Sequence, residues 1–233
     1  MAIRIRKSNE RGYFDHGWLK TFHTFSFGNY HDQNYVKFRS LRVINEDRVI
    51  PGVGFPVHSH KDMEMISIVL KGSLAYQDDI GNDSILSPED IQLVSAGSGI
   101  SNCEINASDK DDVHFLKIWI IPSSKGLKPS FQKSFFPDSS KNNKLCLIAS
   151  KDGKENSLII HQDVEVYLSY LEKDYSLNRE LAEGRHGWIQ VIAGSIALNE
   201  IVLEEGDGAA ISELSQIDIK ALTPSKTLYI DLN

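Results

Sequence analysis

The stretch Val69-Leu-Lys-Gly-Ser-Leu-Ala75 returns later in the chain as Val191-Ile-Ala-Gly-Ser-Ile-Ala197, and this repeat decides the fold prediction. The four-residue spacing from Leu86 to Asp90 also returns, from Leu203 to Asp207. A pattern that recurs with the same spacing indicates one structural unit present twice. We therefore predict two similar lobes in this chain of 233 residues, a length that allows one large domain or two smaller ones.

Short strand-like segments surround both copies of the repeat and are separated by Gly, Asn, Asp and Pro. Many short strands with turn residues between them are typical of an all-β sandwich or barrel. A stretch rich in Ser, Lys, Pro and Asn, residues 123–143, is predicted to connect the halves. The predicted domains are an N-terminal lobe over residues 1–122 and a C-terminal lobe over residues 144–233.

Composition excludes several classes of protein. The net charge of −7 argues against direct nucleic-acid binding, which needs clustered Lys and Arg to neutralise phosphates. No apolar run approaches the roughly 18–20 residues of a membrane-spanning helix, and the N-terminus does not resemble a signal peptide. Because the chain has two cysteines, we do not expect a disulfide scaffold, and we expect a cytoplasmic location. The fingerprints of Ser hydrolases, P-loop proteins and dinucleotide-binding proteins are absent from the sequence.

Two histidines separated by one residue, His58 and His60, precede an apolar run in the first lobe. Side chains alternate faces along a strand, so both imidazoles point to one side, with Cα atoms roughly 6.7 Å apart. That spacing allows both rings to bind one metal ion. The same offsets before the second repeat give Glu180 and Ala182, so a metal site is predicted in the first lobe alone. Glu64 has the parity of the histidines and is a further candidate.

A later strand-like segment supplies the remaining candidate ligands. Asn102 and Glu104 share one face of it, whereas Cys103 points away, which disfavours a closed structural zinc site. Two imidazoles and a carboxylate suit Fe(II) and related first-row ions, with open positions for substrate or O₂. On residue types alone, an equally good interpretation is that His58 and His60 are ordinary surface or hydrogen-bonded histidines.

These residues, together with several other stretches, resemble the pirin family of two-lobed cupins, which includes pirin-like quercetin 2,3-dioxygenases. The resemblance runs from Glu10 to about Ile121 and again over Trp188–Ile211. The matching stretches are Arg11-Gly12, His16-Gly-Trp-Leu19, His23-Thr-Phe-Ser-Phe27, Leu41-Arg-Val43, Pro51-Gly52, His58-Ser-His60-Lys-Asp-Met-Glu64, Gly81-Asn82 and Ala96-Gly-Ser-Gly99.

The resemblance implies an all-β bicupin, with two facing β-barrel (jelly-roll) lobes and one mononuclear metal in the N-terminal lobe. Family members bind the metal with a His-x-His pair and a later His-x-Glu, which correspond here to His58, His60, Asn102 and Glu104. Asn102 departs from the family histidine, and an amide oxygen is a weaker donor than imidazole for late first-row ions. We expect a weakened site that Glu64 or a water completes; the alternative is a lobe that has lost its metal. The expected cofactor is one divalent first-row transition metal, Fe(II) ahead of Mn, Ni, Co, Cu or Zn.

By the same resemblance, the expected function is a metal-dependent dioxygenase that opens a flavonol-type ring with O₂ and releases carbon monoxide. The substrate hydroxyl would bind the metal and lose its proton to Glu104, with Glu64 as the second candidate. The expected partners are a small aromatic substrate such as a flavonol, and O₂. The competing interpretation is a non-enzymatic, redox-responsive regulator with a degenerate metal site, which binds another protein.

Other chemically active residues are assigned to packing. Tyr76 stands where related chains carry histidine, and we expect it to line the pocket, because Tyr is too weak an acid to be a base at neutral pH. His16 and His23 lie among aromatic residues, where packing or hydrogen bonding is expected.

Overall fold

The computed structural model describes residues 2–233 and divides the chain into two compact units. The N-terminal unit comprises Gly12–Phe135 and Ile160–Gln162; the C-terminal unit comprises the residues up to Arg11, Phe136–Ile159 and Asp163–Asn233. Both are built almost entirely of strands, which confirms the all-β, two-lobed prediction. Among the residues described, no helix is long and apolar enough to cross a membrane.

In chain order the strands are β1 (Ile3–Arg6), β2 (Gly12–Asp15), β3 (Leu19–His23), β4 (Leu41–Val49), β5 (Gly54–His60), β6 (Glu64–Lys71), β7 (Leu74–Asp78), β8 (Asp83–Leu86), β9 (Asp90–Ser95), β10 (Ile100–Asn106), β11 (Val113–Ile120), β12 (Ser130–Phe135), β13 (Cys146–Ser150), β14 (Leu158–Ile159), β15 (Val164–Leu171), β16 (Ser176–Glu180), β17 (His186–Ala193), β18 (Ser195–Leu198), β19 (Ile201–Glu204), β20 (Gly208–Ile211), β21 (Gln216–Ala221) and β22 (Ser225–Leu232). A helical turn, α1, covers Asp138–Lys141, and 3₁₀ turns cover Ser8–Glu10 and Lys154–Asn156.

The N-terminal unit consists of two antiparallel sheets. Seven strands pair in the order β12-β9-β6-β11-β4-β3-β2, and four pair in the order β5-β10-β7-β8. Because side chains alternate along each strand, one face of each sheet turns inward. Apolar residues of both sheets meet there, among them Val69 and Phe115 from the larger sheet and Leu74 and Leu86 from the smaller.

The C-terminal unit repeats this plan. Its larger sheet has the order β1-β20-β17-β22-β15-β13-β14, and its smaller sheet the order β16-β21-β18-β19. Residues from both sheets, such as Ile189, Ile196 and Ile219, are fully buried together in its core. The repeated sequence therefore corresponds to β6–β7 in the first unit and β17–β18 in the second.

The structure places two segments differently from the sequence prediction. Strand β1 pairs with β20 of the C-terminal unit, where Ile3 and Ile5 pack against the core, although residues 1–122 were expected to form the N-terminal lobe. Part of the expected connector, residues 123–143, is strand β12, which extends the N-terminal sheet by pairing with β9. Phe131 anchors it by stacking on Tyr76, with ring centroids 5.3 Å apart.

The C-terminal unit holds an ion-pair cluster that links β15, β16 and β22. Arg179 Nη2 donates to Glu165 Oε2 and to Asp231 Oδ2, each at 3.1 Å, and Arg185 Nε donates to Asp231 Oδ1 at 2.6 Å. The Arg179 guanidinium also lies over the Tyr167 ring, 5.0 Å from its centroid. Charged groups in this unit thus satisfy one another.

A β-bulge shapes the pairing of β5 with β10. Asn102 lies opposite His58, but Glu104 lies opposite Phe55, so β5 carries one extra residue at this point. Gly54, the next partner along, approaches β10 so closely that a Cβ there would lie 2.6 Å from the Ile105 Cα and would overlap the Glu104 carbonyl oxygen. A glycine is therefore required at this position.

We predict that Gly54→Ala forces β5 and β10 apart and destabilises the protein by about 1–3 kcal/mol, the usual effect of overpacking. Thermal unfolding followed by circular dichroism should show a midpoint several degrees lower. Val53→Ala is the matched control, since Val53 is 38% exposed. Equal midpoints for the two variants would show that the close approach is not a constraint.

Candidate metal centre and cavity

A cavity of about 400 Å³ opens in the N-terminal unit, between its two sheets. This volume lies within the range of small-molecule binding sites. Its wall combines aromatic rings with polar groups that face inward from both sheets. The aromatic residues include Phe14, Phe27, Phe55, Tyr76 and Trp119, and the polar residues include His16, His23, Asn45, Asp47, His58, His60, Ser67, Gln92, Asn102, Glu104 and Lys117.

The two histidines of β5 lie side by side in the cavity wall. Their ring centroids are 4.6 Å apart and the ring planes are nearly perpendicular, at 81°. His58 Nδ1 lies 2.7 Å from the carbonyl oxygen of Pro56, so Nδ1–H donates there and the lone pair of Nε2 is left for another partner. This is the arrangement that orients a metal-binding imidazole.

His60 is uncharged at neutral pH. Burial, followed by the charges of His58 and Lys117, lowers its pKa to about 4. An imidazole must be neutral to bind a metal ion, so this environment keeps His60 in the binding-competent form. Trp119 supports the ring from the side, with centroids 5.1 Å apart in an edge-to-face contact.

Strand β10 brings the other two predicted ligands into the cavity. Asn102 and Glu104 are both buried and both line it, whereas Cys103 is absent from the wall, as the strand parity predicted. Asn102 Oδ1 is fully buried and has no hydrogen-bond partner within the described part of the chain. Leaving such an oxygen unsatisfied costs about 1–3 kcal/mol, so this atom is available to a ligand or an ion.

Glu104, by contrast, already has a cationic partner. Lys117 Nζ donates to Glu104 Oε1, and it also donates to Ser67 Oγ at 2.9 Å. Both charged side chains are enclosed, Lys117 with 14% and Glu104 with 3% of the side chain exposed. Consistent with this pairing, no group of three or more His, Cys, Asp or Glu side chains among residues 2–233 is placed to hold one ion.

Glu64 lies outside the cavity. Its Oε2 accepts a hydrogen bond from Ser95 Oγ at 2.8 Å and lies 3.4 Å from Nδ1 of His161. The expectation that Glu64 shares a face with His58 and His60 is not met. The turn at residues 61–63, in which Asp62 has a φ of 50°, interrupts the alternation between β5 and β6. Glu64 is therefore not placed to bind an ion beside the histidines.

Asp47 and Lys117 are site residues that sequence reasoning missed. Lys117 lies between Phe115 and Trp119 on the inward face of β11, and Asp47 lies opposite Phe115 on β4. Burial raises the pKa of Asp47 to about 7, against the opposing effects of the Thr21 hydroxyl and the Lys117 charge. The sequence did contain a signal for Lys117. It alternates with Phe115 and Trp119 along the strand, so it faces the interior, where an apolar residue is the usual choice.

The aromatic side of the cavity includes His23. Its Nδ1 lies 2.8 Å from Asn45 Oδ1, and its ring packs 5.2 Å from Phe27 and 5.5 Å from Phe14. Burial lowers the pKa of His23, which favours the neutral ring. The packing and hydrogen-bonding role expected for this histidine is confirmed, and Tyr76 lines the cavity as expected.

Comparison with known proteins places both units in one family. The pirin family pattern matches residues 4–120, and the pattern of the quercetinase C-terminal cupin domain matches residues 147–232. The chain belongs to the pirin family. The bicupin fold expected from the sequence is thereby confirmed.

Several pirins and relatives match over nearly the whole chain. The quercetin 2,3-dioxygenase of Escherichia coli (strain K12) is 41% identical over 230 residues, which cover 99% of this chain and 98% of that protein. A pirin-like protein of Caulobacter vibrioides is 36% identical over 218 residues, 93% of this chain and 94% of that one. The crystal structure of the bacterial pirin YhhW from Escherichia coli in complex with nickel(II) has a TM-score of 0.94 and 40% identity, covering 99% of this chain and 98% of that chain.

Four residues correspond to the ligand set expected of a pirin, and three of them have a donor atom that is free to bind a divalent ion. His58 and His60 offer imidazole nitrogens, and the unpartnered Oδ1 of Asn102 offers an oxygen. The fourth, Glu104, is held by Lys117. The donors that the cavity of this pirin offers to a divalent ion are therefore two imidazole nitrogens and one amide oxygen.

We predict that Asp47 makes the stability of this pirin pH-dependent. Burial raises its pKa in the folded protein to about 7, from the ordinary value of 3.8 for an aspartate. Between these pH values the folded state holds a proton that the unfolded chain releases, so stability falls as pH rises from about 4 to 7. Asp47→Asn is neutral throughout, so its unfolding midpoint relative to wild type should increase from pH 5 to pH 8.

The control for this comparison is Asp109→Asn, which changes an exposed carboxylate of the same unit. Its midpoint relative to wild type should be the same at both pH values. A difference between Asp47→Asn and wild type that does not change with pH would show that Asp47 is ionised in the folded protein throughout this range.

Proposed function

We propose that this protein is a metal-dependent dioxygenase of the quercetin 2,3-dioxygenase type, which opens a flavonol ring with O₂. The observation that carries the proposal is the cavity itself, in which two imidazoles and an unpartnered buried amide oxygen meet aromatic walls. Relatives that cover almost the whole chain bear the name quercetin 2,3-dioxygenase, and a related pirin binds nickel(II). These names support the reaction class and a divalent ion.

His58, His60 and Asn102 are the residues proposed to hold the ion. When bound, a divalent ion supplies a Lewis acid and a template for the substrate hydroxyl. Fe(II) remains the metal proposed from the donor set, and nickel(II) is the alternative that the related structure supports. Glu64 is not proposed as a ligand, because its carboxylate lies with Ser95 and His161 outside the cavity.

The aromatic wall would bind and orient the flavonol. Phe14, Phe27, Phe55 and Trp119 line a cavity of about 400 Å³. Flat aromatic ligands pack well in such surroundings, and the enclosing rings exclude water from the reacting group.

Proton removal from the bound hydroxyl requires a carboxylate in the cavity. Glu104 is the proposed acceptor, since its Oε1 is engaged by Lys117 and its other oxygen is not part of that contact. Asp47, with a pKa of about 7, is a second carboxyl of the same wall that can exchange protons near neutral pH. The regulatory alternative gains no support from the relatives' names or from the cavity.

The metal assignment predicts that His58→Ala/His60→Ala loses both bound metal and activity. Protein purified without chelator is analysed for metal by mass spectrometry, and oxygen uptake with quercetin is recorded together with carbon monoxide release. His31→Ala, which removes an exposed histidine of the same unit, should retain both properties. Oxygen uptake that survives in the double variant would overturn the proposal, and so would a metal-loaded wild type that consumes no oxygen with quercetin.

Asn102 should limit metal affinity, because its amide oxygen replaces the stronger imidazole donor of the family pattern. We predict that Asn102→His raises the affinity for nickel(II) by about 10-fold or more, measured by calorimetric titration of protein stripped of metal. Asn102→Ala should lower it. Equal affinities for all three proteins would show that this side chain does not bind the ion.

A further inference from the structure

Lys117 is the one lysine in the cavity wall, among the residues described. It lies on β11 opposite Ser67 of β6, and its side chain reaches Glu104 of β10 in the other sheet of the unit. The ammonium group therefore bridges the two sheets across the interior. Lys117 thus holds one of the four residues expected to bind metal, Glu104.

The ion pair and a metal ion compete for the same carboxylate. An enclosed ammonium needs an anionic partner, because burial makes an uncompensated charge very unfavourable. If Glu104 moved to a divalent ion, Lys117 would lose that partner and would remain beside a second positive charge. Ser67 supplies a neutral hydroxyl at 2.9 Å, which cannot replace the carboxylate. Both effects favour the pairing of Glu104 with Lys117.

The remaining candidate ligands form a neutral set. His58 donates its Nδ1 proton to a backbone carbonyl, an imidazole binds a metal ion only as the neutral ring, and Asn102 is an amide. A neutral set with a nearby ammonium attracts a divalent cation less than a set that includes a carboxylate. The Oδ1 of Asn102 has no hydrogen-bond partner among residues 2–233, and it is the oxygen that this neutral set offers an ion.

We propose that Lys117 is a positioning residue that keeps Glu104 out of the metal's coordination sphere, so that the ion is bound by His58, His60 and Asn102. This inference rests on the proposed function, because it assumes that the cavity binds a divalent ion. It goes beyond that function by assigning Glu104 to an ion pair and by making Lys117 the residue that sets metal affinity.

The test is a double-mutant cycle on Lys117→Gln and Glu104→Gln, with nickel(II) affinity measured by calorimetric titration of chelator-stripped protein. Lys117→Gln frees the carboxylate, and the affinity should rise by about 10- to 100-fold, the range typical of changes to groups that orient metal ligands. The double variant Lys117→Gln/Glu104→Gln should lose that gain and return to within a few-fold of wild type. Lys117→Met also removes the charge while keeping a side chain of similar length, so it should give the same result as Lys117→Gln. Thermal unfolding verifies that each variant is folded.

Cobalt(II) provides a readout that depends on coordination and not on charge alone. Its visible absorption spectrum should be the same for wild type and for Lys117→Gln/Glu104→Gln, because neither has Glu104 as a ligand. The spectrum of Lys117→Gln should differ from both. Lys133→Gln is the control, since Lys133 contacts the Ile85 carbonyl and Asp90 away from the cavity, and it should match wild type.

Each result has one meaning. Unchanged affinity and spectrum in Lys117→Gln and Lys117→Met would overturn the proposal and leave the metal-dependent function standing. A wild type that binds neither ion, with Lys117→Gln binding both, would overturn the metal-dependent function and, with it, the binding of an ion by His58, His60 and Asn102. Failure of every variant and of wild type to bind either ion would overturn both.

Discussion

The candidate site depends on the pairing of β5 with β10. Two strands of the smaller sheet place His58 opposite Asn102, and strand alternation turns both side chains, with His60 and Glu104, toward the interior. The close approach of Gly54 to β10 and the bulge beside it fix the register of the two strands, so that Glu104 lies opposite Phe55. A shift of one residue would direct every one of these side chains to the opposite face of the sheet.

Charge in the interior is the second constraint. Lys117, Glu104 and Asp47 are enclosed in a unit whose remaining core is largely apolar. A buried ion pair adds little stability compared with well-packed apolar residues, yet removing one partner costs about 3–5 kcal/mol. Such groups are therefore better explained by the chemistry of the cavity than by stability. In the C-terminal unit, by contrast, Arg179 and Arg185 are matched with carboxylates in a closed cluster.

Much of the architecture could be predicted from the sequence. The repeat around Gly72 and Gly194 predicted two lobes, and strand parity placed His58, His60 and Asn102 on one wall. These features are local, because alternation and turn residues are encoded within a few positions. The placement of β1 could not be predicted, because it depends on pairing with β20 about 200 residues away in the chain.

The contacts of the charged groups were equally hidden from the sequence. Strand parity correctly turned Glu104 inward but gave no sign that Lys117, on a strand of the other sheet, would reach it. Parity counted across a turn misplaced Glu64, since residues 61–63 do not continue the strand. Contacts across the interior depend on how the two sheets pack against each other, and a short sequence pattern does not predict this packing.

Anomalous scattering from crystals of protein purified without chelator would show the position of the metal and the contacts of the Glu104 carboxylate in one experiment. We expect one peak at His58, His60 and Asn102, with bonds of about 2.0–2.2 Å to the two imidazoles and with Glu104 still paired to Lys117. No peak at the histidines would contradict the proposed metal centre. A peak with Glu104 bonded to the ion would contradict the role assigned to Lys117.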